Sequence, residues 1–420
     1  MGRLKWRLSI GLLFVAGASA QNASSPHVFT WQETLEKFKA NNPTLAAGKV
    51  NIDEARADEI TAYLRPNPNL NLGLDQITPF YSNPYRPLSE TYAFGSLDYL
   101  HERQHKRELR LESARHATAI ALATQNDLER SLVFTLRDAF DRVLLAKAVL
   151  AIAKENMAYY DKVIAVNRDR FATGAIAKVD FQRVELQRVE YESDQQTAQV
   201  NLRTAKIDLL QLLREPTAVD DFDIKAEFEF SEPTTDLEEL RRVALESRPD
   251  LKEAKETITK AQTDHRLAIA NGSTDPTFGL SGSHQPPPLN TYVGISVSIP
   301  LRIFDRNQGE KLRTDLEIGR TEKLKDATEI AALHDVDTAW TTLESTLVLL
   351  RPYKTKYLRE AADIRDTVSF AYQRGATSLL DFLDAQRAYR DTQLNYLNLV
   401  GSYFSAVNQV NFAVGREVIQ

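Results

Sequence analysis

Five consecutive residues, His101-Glu102-Arg103-Gln104-His105, carry the spacing of a zinc peptidase. On a helix, imidazoles four residues apart share a face and can hold Zn²⁺, with the glutamate between them as general base. The setting argues against that chemistry. The motif falls where an alternating strand pattern gives way to a charged helix, and no apolar helix is present to bury it. The distal carboxylate Glu129 lies 24 residues beyond His105, about 36 Å along a helical rod. The corresponding later stretch, Leu301 to Gly309, has no such histidine pair. We read the spacing as coincidence. No catalytic, cofactor-binding or metal-ligating residue is assigned, and the chain is expected not to be an enzyme.

Other polar residues recur as a pair of motifs. Phe171-Ala-Thr-Gly174-Ala-Ile-Ala-Lys-Val-Asp180-Phe181 returns as Tyr372-Gln-Arg-Gly375-Ala-Thr-Ser-Leu-Leu-Asp381-Phe382. Glycine at the same place in each copy offers positive φ for a turn between antiparallel helices. An aspartate six residues later is, on residue type alone, an N-terminal helix residue or a solvated one. The period of about 200 residues is far longer than a solenoid repeat and points to a duplicated half-molecule.

The bulk properties bound the setting. Arg3, Lys5 and Arg7 precede the apolar run Leu8 to Ala16, and Ala18-Ser19-Ala20 fits a signal-peptidase site, so residues 1–20 are expected to be an export signal. Cleavage would take the formal charge from −6 to −9, because it removes those three basic residues and no acidic one. A chain this acidic is a poor partner for nucleic acid. There is no cysteine, hence no disulfide, no thiolate metal site and no thioether-linked lipid on the mature chain. The remaining histidines are scattered. Met157 is the one methionine left after processing, so there is no methionine ladder for soft metal ions. No later stretch is long and apolar enough for a membrane helix, so any membrane crossing must use strands.

The elements repeat along with the motifs. In the first half a helix is expected over 31–64, strands over Asn69–Asp75 and Thr91–Tyr99, a helix without Pro or Gly over 103–170, a turn at Gly174, and a helix over 179–213. In the second half Asp236 is the expected N-cap of a helix reaching Ala270. Strands at Thr277–Ser283 and Val293–Ile299 follow, then a helix over 308–373 with a kink at Pro352, a turn at Gly375 and a last helix over 379–414. The division is therefore 21–215 for the first repeat, 216–235 for an acidic and aromatic linker, 236–415 for the second repeat, and 416–420 for a tail. A helix of about 66 residues reaches about 100 Å, and two of about 35 residues laid end to end match it.

The helix surfaces carry coiled-coil spacing. Ala139, Val143, Ala146, Leu150, Ala153, Met157, Tyr160 and Ile164 step by four and three. Phe382, Tyr389, Tyr396, Tyr403 and Val410 recur every seven residues. Leu379, Val400, Val407 and Val414 form a companion seam that Gln386 and Gln393 interrupt. Such a stripe packs helices together. The four strands have the length of tilted membrane strands and alternate apolar with small or polar residues. Four strands cannot close a barrel, so a membrane location requires several chains; a small soluble sheet capping a helical rod is the alternative.

These features together resemble the outer-membrane efflux protein family, the TolC-like exit ducts, and its heavy-metal branch is closest in texture. The likeness covers about residues 29–415. It is most specific in Tyr372-Gln-Arg-Gly375-Ala-Thr-Ser378-Leu-Leu-Asp381-Phe-Leu-Asp384-Ala-Gln386-Arg, followed by Tyr389, Gln393 and Tyr396, and in the strand-to-helix transitions at 97–107 and 297–309. The resemblance implies a mainly α fold with a minor β part. Long antiparallel coiled-coil helices would form a trimeric α-barrel continuous with a twelve-stranded β-barrel, four strands per chain. It implies a homotrimer set in outer-membrane lipid with its helical part in the periplasm, working with a periplasmic adaptor (membrane fusion protein) and an inner-membrane transporter. The function implied is passive export of small molecules or metal ions, without a cofactor.

At the tip, Gly174 and Gly375 match the hairpin glycines that adaptors grip. Asp381 and Asp384 match a pair forming inward acidic rings, where like charges raise one another's pKa and attract cations. Asp180 and Tyr372 match a carboxylate–hydroxyl latch, and replacing either is expected to raise single-channel conductance. Thr377 stands where some relatives place a latch-strengthening arginine. The alternative function is a periplasmic coiled-coil adaptor or scaffold whose strands lie outside lipid.

Overall fold

A computed structural model describes residues 27–77, 84, 86–88, 91–285 and 290–419. The expected signal peptide at 1–20 and the Pro286-Pro287-Pro288 loop lie outside the described residues. Strand β1 (His27–Phe29) leads into α1 (Trp31–Asn41) and α2 (Pro43–Tyr63), then β2 (Asn69–Asp75), β3 (Tyr92–Leu100), α3 (Lys106–Ala172) and α4 (Lys178–Leu213). The chain continues through β4 (Phe222–Ile224) into α5 (Leu237–Ser247), α6 (Pro249–Asn271), β5 (Thr277–His284) and β6 (Thr291–Ser298). The last elements are α7 (Gln308–Pro352), α8 (Leu358–Gln373) and α9 (Leu379–Val414).

The long rod is α3, with 67 residues. Its counterpart is α7 joined to α8 through one π turn, Tyr353–Tyr357. Pro352 causes that interruption: it has no N–H to continue the ladder, and the chain absorbs the missing bond by widening a turn. Two breaks were not foreseen. The helices expected over 31–64 and from Asp236 to Ala270 are each split by a proline at the first position of the second piece, Pro43 and Pro249. Proline suits that position because its absent N–H would have no partner there anyway. Asn42 caps the new start, its side chain accepting from Thr44 N at 2.9 Å and Leu45 N at 3.1 Å. Asp236 caps α5 as expected, accepting from Glu239 N at 2.8 Å.

Most of each seam is buried: Val143, Leu150, Ala153, Met157, Tyr160 and Ile164 on α3, and Phe382, Val400, Tyr403, Val407 and Val410 on α9. Ala139, Ala146, Leu379, Tyr389 and Tyr396 are half-buried. The two largest apolar clusters lie midway along the rods. One gathers Phe38, Leu136, Phe140 and Leu209 with Phe222 and Ile224 of the linker. The other gathers Leu240, Val336, Leu343, Val400 and Tyr403. The linker is thus structured: β4 pairs in parallel with β1 and packs on α3, and Phe29 of β1 joins the same apolar cluster.

The four other strands form one antiparallel sheet in the order β2-β3-β5-β6. Register decides its two faces. Leu72 pairs with Gly95 and Leu70 with Leu97; Leu97 pairs with Leu280, and Leu280 with Ile295. Cross-strand partners share a face, so these apolar side chains make one continuous surface. It is uncovered within the chain: Leu72 is 75% exposed and Ile295 86%. The opposite face carries Asn71, Ser96, Asp98, Ser281 and Ser296. There Asn71 Nδ2 donates to Asp98 at 2.9 Å, and Ser96 Oγ donates to the same carboxylate at 2.9 Å. Among the described residues the outer strands β2 and β6 each leave one edge unpaired.

Candidate functional site

The two helical turns far from the sheet have the same backbone geometry. Gly174 has φ +76° and Gly375 φ +75°, and a Cβ added at either would meet nothing within 4 Å. The backbone alone demands glycine there. In each turn a bond spans five residues, Ala175 N to Arg170 O at 2.8 Å and Ala376 N to Ala371 O at 2.9 Å, which closes the preceding helix in a Schellman motif.

The side chains after the turns are not equivalent. Ser378 caps α9, accepting from Asp381 N at 3.1 Å. The Asp381 carboxylate reaches back to accept from Ser378 Oγ at 2.7 Å, Thr377 Oγ1 at 2.9 Å and Ser378 N at 3.2 Å. Ser378 and then Thr377, donating to it, hold this carboxyl below the usual carboxylate range. The residue expected in an acidic ring is therefore committed to a capping box. Asp384, one turn on, is exposed and makes no ion pair among the described residues. In the other turn the cap residue Ala177 has no side-chain acceptor for a cap bond, and Asp180 faces Arg183 at 3.9 Å.

Tyr372 forms a different bond from the one expected. Its buried hydroxyl donates to Asn167 Oδ1 at 2.8 Å, not to Asp180. The physical reason is burial: a neutral amide costs far less than a carboxylate at a desolvated position. Asn167 is held in turn by donating to Val163 O at 2.9 Å. Burial pushes the Tyr372 hydroxyl up, and the nearby Asp180 adds to that push without bonding. The Tyr372 ring stacks on Phe382 at 4.7 Å, and Arg170 lies over it at 4.9 Å while donating to its carbonyl at 3.3 Å.

Further from the tip, more bonds join the two halves. Gln386 and Gln393, which interrupt the apolar seam, are both buried. Gln386 Nε2 donates to Ser369 at 3.0 Å and to the Tyr159 hydroxyl at 3.3 Å, and Asn156 donates to Gln393 at 3.2 Å. Arg390 of α9 lies 3.4 Å from both Glu190 and Asp194 of α4. Burial raises the Asp194 carboxyl against the pull of Arg390. Asn167, Arg170 and Arg390 had not been singled out. The signal was present in the glutamines: polar residues at seam positions must find partners across the seam.

The zinc-like motif is not helical. His101 to Arg103 belong to no helix or strand, Gln104 and His105 have positive φ, and α3 begins only at Lys106. His105 is the helix cap residue, as Asn307 is for α7, so the two strand-to-helix transitions turn the same way. Glu102 is held by Arg110 at 2.5 and 2.9 Å. Among the described residues no three His, Cys, Asp or Glu side chains converge.

A cavity of about 420 Å³ separates the halves near mid-length. Asp141 of α3 lines it, buried, with one oxygen lacking a hydrogen-bond partner. Burial pushes its carboxyl up to about 6, opposed by Arg137. A folded-state pKa above the unfolded value means the native state holds its proton more tightly. Stability from this group then falls as pH rises from about 4 to about 6. Asp141→Asn is expected to raise the melting temperature at pH 7.5, by up to about 2 kcal/mol of stability, and to leave it unchanged near pH 4. Equal shifts at both pH values would rule out this assignment.

Residues 240–416 match the outer membrane efflux protein family. The cobalt-zinc-cadmium resistance protein CzcC of Cupriavidus metallidurans is 22% identical over 408 residues, covering 92% of this chain and 90% of that one. The solved transmembrane channel CusC has a TM-score of 0.74 at 19% identity, with 92% of each chain covered. The open state of the outer membrane channel MtrE of Neisseria gonorrhoeae has a TM-score of 0.73 at 16% identity, covering 92% of this chain and 89% of that one. At such identities the structural matches speak to the fold.

Proposed function

We propose that this member of the outer membrane efflux protein family is one third of a passive exit duct, in which three chains close a barrel of twelve strands through the outer membrane. The observation that carries the reading is the sheet. It has one continuous apolar face with nothing over it, a polar opposite face, and two unpaired edges. Lipid covers such a face, and only closure satisfies such edges where water is absent. No helix of the described residues is long and apolar enough to cross a membrane. The rod of 67 residues gives a helical conduit of about 100 Å into the periplasm.

At the far end the exposed turns at Gly174 and Gly375 are where a periplasmic adaptor docks, with an inner-membrane pump beyond it. The name of CzcC favours transition-metal cations as cargo. Asp384, exposed and unpaired one turn inside the tip, is the carboxylate that three-fold symmetry would bring towards the axis. The processed protein in detergent should run as a trimer that collapses to monomer on heating, and it should conduct in planar bilayers. A monodisperse monomer, soluble in the absence of detergent, would overturn the reading.

A further inference from the structure

The residues of the zinc-like motif fall at a place where the apolar face of the sheet ends. Leu97, Tyr99 and His101 alternate onto one side of β3 and its extension. The ladder continues past the strand, with His101 N donating to Pro276 O at 2.9 Å. Tyr99 pairs with Phe278, and the His101 ring stands edge-on to Phe278 at 6.4 Å. On β6, the strand beyond β5, exposed apolar residues also follow the strand end, at Ile299, Leu301 and Ile303. An aromatic pair at the lower limit of a lipid-facing surface marks the bilayer boundary.

Directly below Tyr99 is a cavity of about 450 Å³. Its charges are mostly satisfied. Lys106 is bound to Asp275, Arg107 to Glu108, and Glu102 to Arg110. Two guanidinium groups in it, those of Arg65 and Arg103, are exposed and have neither an ion pair nor a side-chain hydrogen bond among the described residues. Two uncompensated cations sit beneath an aromatic boundary and beside apolar side chains. That combination fits a molecule with an anionic head and hydrocarbon tails.

We infer that Arg65 and Arg103 form a headgroup site for an anionic phospholipid of the periplasmic leaflet, one site per chain. Guanidinium is suited to this task because its planar donors match phosphate oxygens in pairs. The acyl chains lie along Tyr99, Leu97 and Phe278. The site rests on the duct reading, which places this level at the membrane surface.

Native mass spectrometry of the processed full-length trimer tests it, with phosphatidylglycerol, phosphatidylcholine or sodium phosphate added. Phosphatidylglycerol should be retained over phosphatidylcholine by roughly fivefold for each arginine engaged. Arg65→Gln with Arg103→Gln should erase that preference while the trimer mass persists, and Arg103→Lys should keep part of it. Equal retention of the two lipids by an intact trimer would overturn the site and leave the duct standing. Displacement of the lipid by millimolar phosphate would assign the arginines to a free anion instead. Failure to find any trimer would remove the duct and this site together.

Discussion

Arginine at Ile295 should leave the outer membrane almost empty of this protein, whereas arginine one residue away at Ser296 should be tolerated. The two positions lie at the same depth on β6 and differ only in face. Ile295 pairs with Leu280 on the apolar side, and Ser296 pairs with Gly279 on the side that carries Asp98. A lipid-facing arginine near the midplane costs about 2–4 kcal/mol, and a symmetric trimer incurs that cost three times. The lumen-facing arginine remains hydrated and gains Asp98 as a neighbour. Heat-modifiable trimer recovered from outer-membrane fractions measures the difference. Equal recovery of the two variants would mean that β6 does not face lipid, and the barrel would have to be abandoned.

The second large effect is expected at the tip. Tyr372→Phe with Arg390→Ala should lengthen the share of the record for which the proposed duct conducts in planar bilayers. Tyr372 to Asn167 and Arg390 to Glu190 and Asp194 are bonds between the first and second halves of one chain. The acidic partners of Arg390 are themselves half exposed, so solvent screening limits that tie to about 1 kcal/mol. The buried hydroxyl bond adds about 1 kcal/mol. Lost in three chains at once, the pair would shift the closed-to-open balance by about 6 kcal/mol, a factor of about 10⁴, since each 1.4 kcal/mol is tenfold. Asp180→Asn should matter less, because Asp180 has no bond to Tyr372. A double variant with unchanged open time would mean that these bonds merely pack the hairpins.

Most of the architecture was legible because it is periodic. Ala153, Met157, Tyr160 and Ile164 bury because a 3.5-residue spacing keeps one stripe facing one neighbour over many turns. Pro352 interrupts its helix for a reason visible in a single residue. The breaks at Pro43 and Pro249 were equally local, yet each lies within an otherwise helical pattern, and a proline at a helix's first turn looks the same as a proline that merely bends one. The linker strand β4 could not be read alone: three residues acquire strand geometry only from pairing with β1, nearly 200 positions earlier.

The site was less legible, because it depends on which side chains meet. Tyr372 and Asp180 are both correct in type for a latch, but burial at that point selected Asn167, a residue whose own sequence neighbours carry no signal. Asp381 could have been a cap or part of a ring, and Ser378 and Thr377 settled its bonding within the chain. The histidine pair at 101 and 105 matched a spacing whose meaning requires a helix, and the backbone there turns left-handed instead.

Local repetition thus determined the order of the long rods and the four sheet strands, the rod lengths, the two glycine turns and the two-faced strands, since each depends on residue type and interval alone. Only the tertiary structure decided the sheet order, the register that gathers Leu72, Leu280 and Ile295 on one surface, and the partners of Tyr372 and Arg390. Those choices depend on distances between residues far apart in the chain, and on the cost of burying charge, which no interval along the chain encodes.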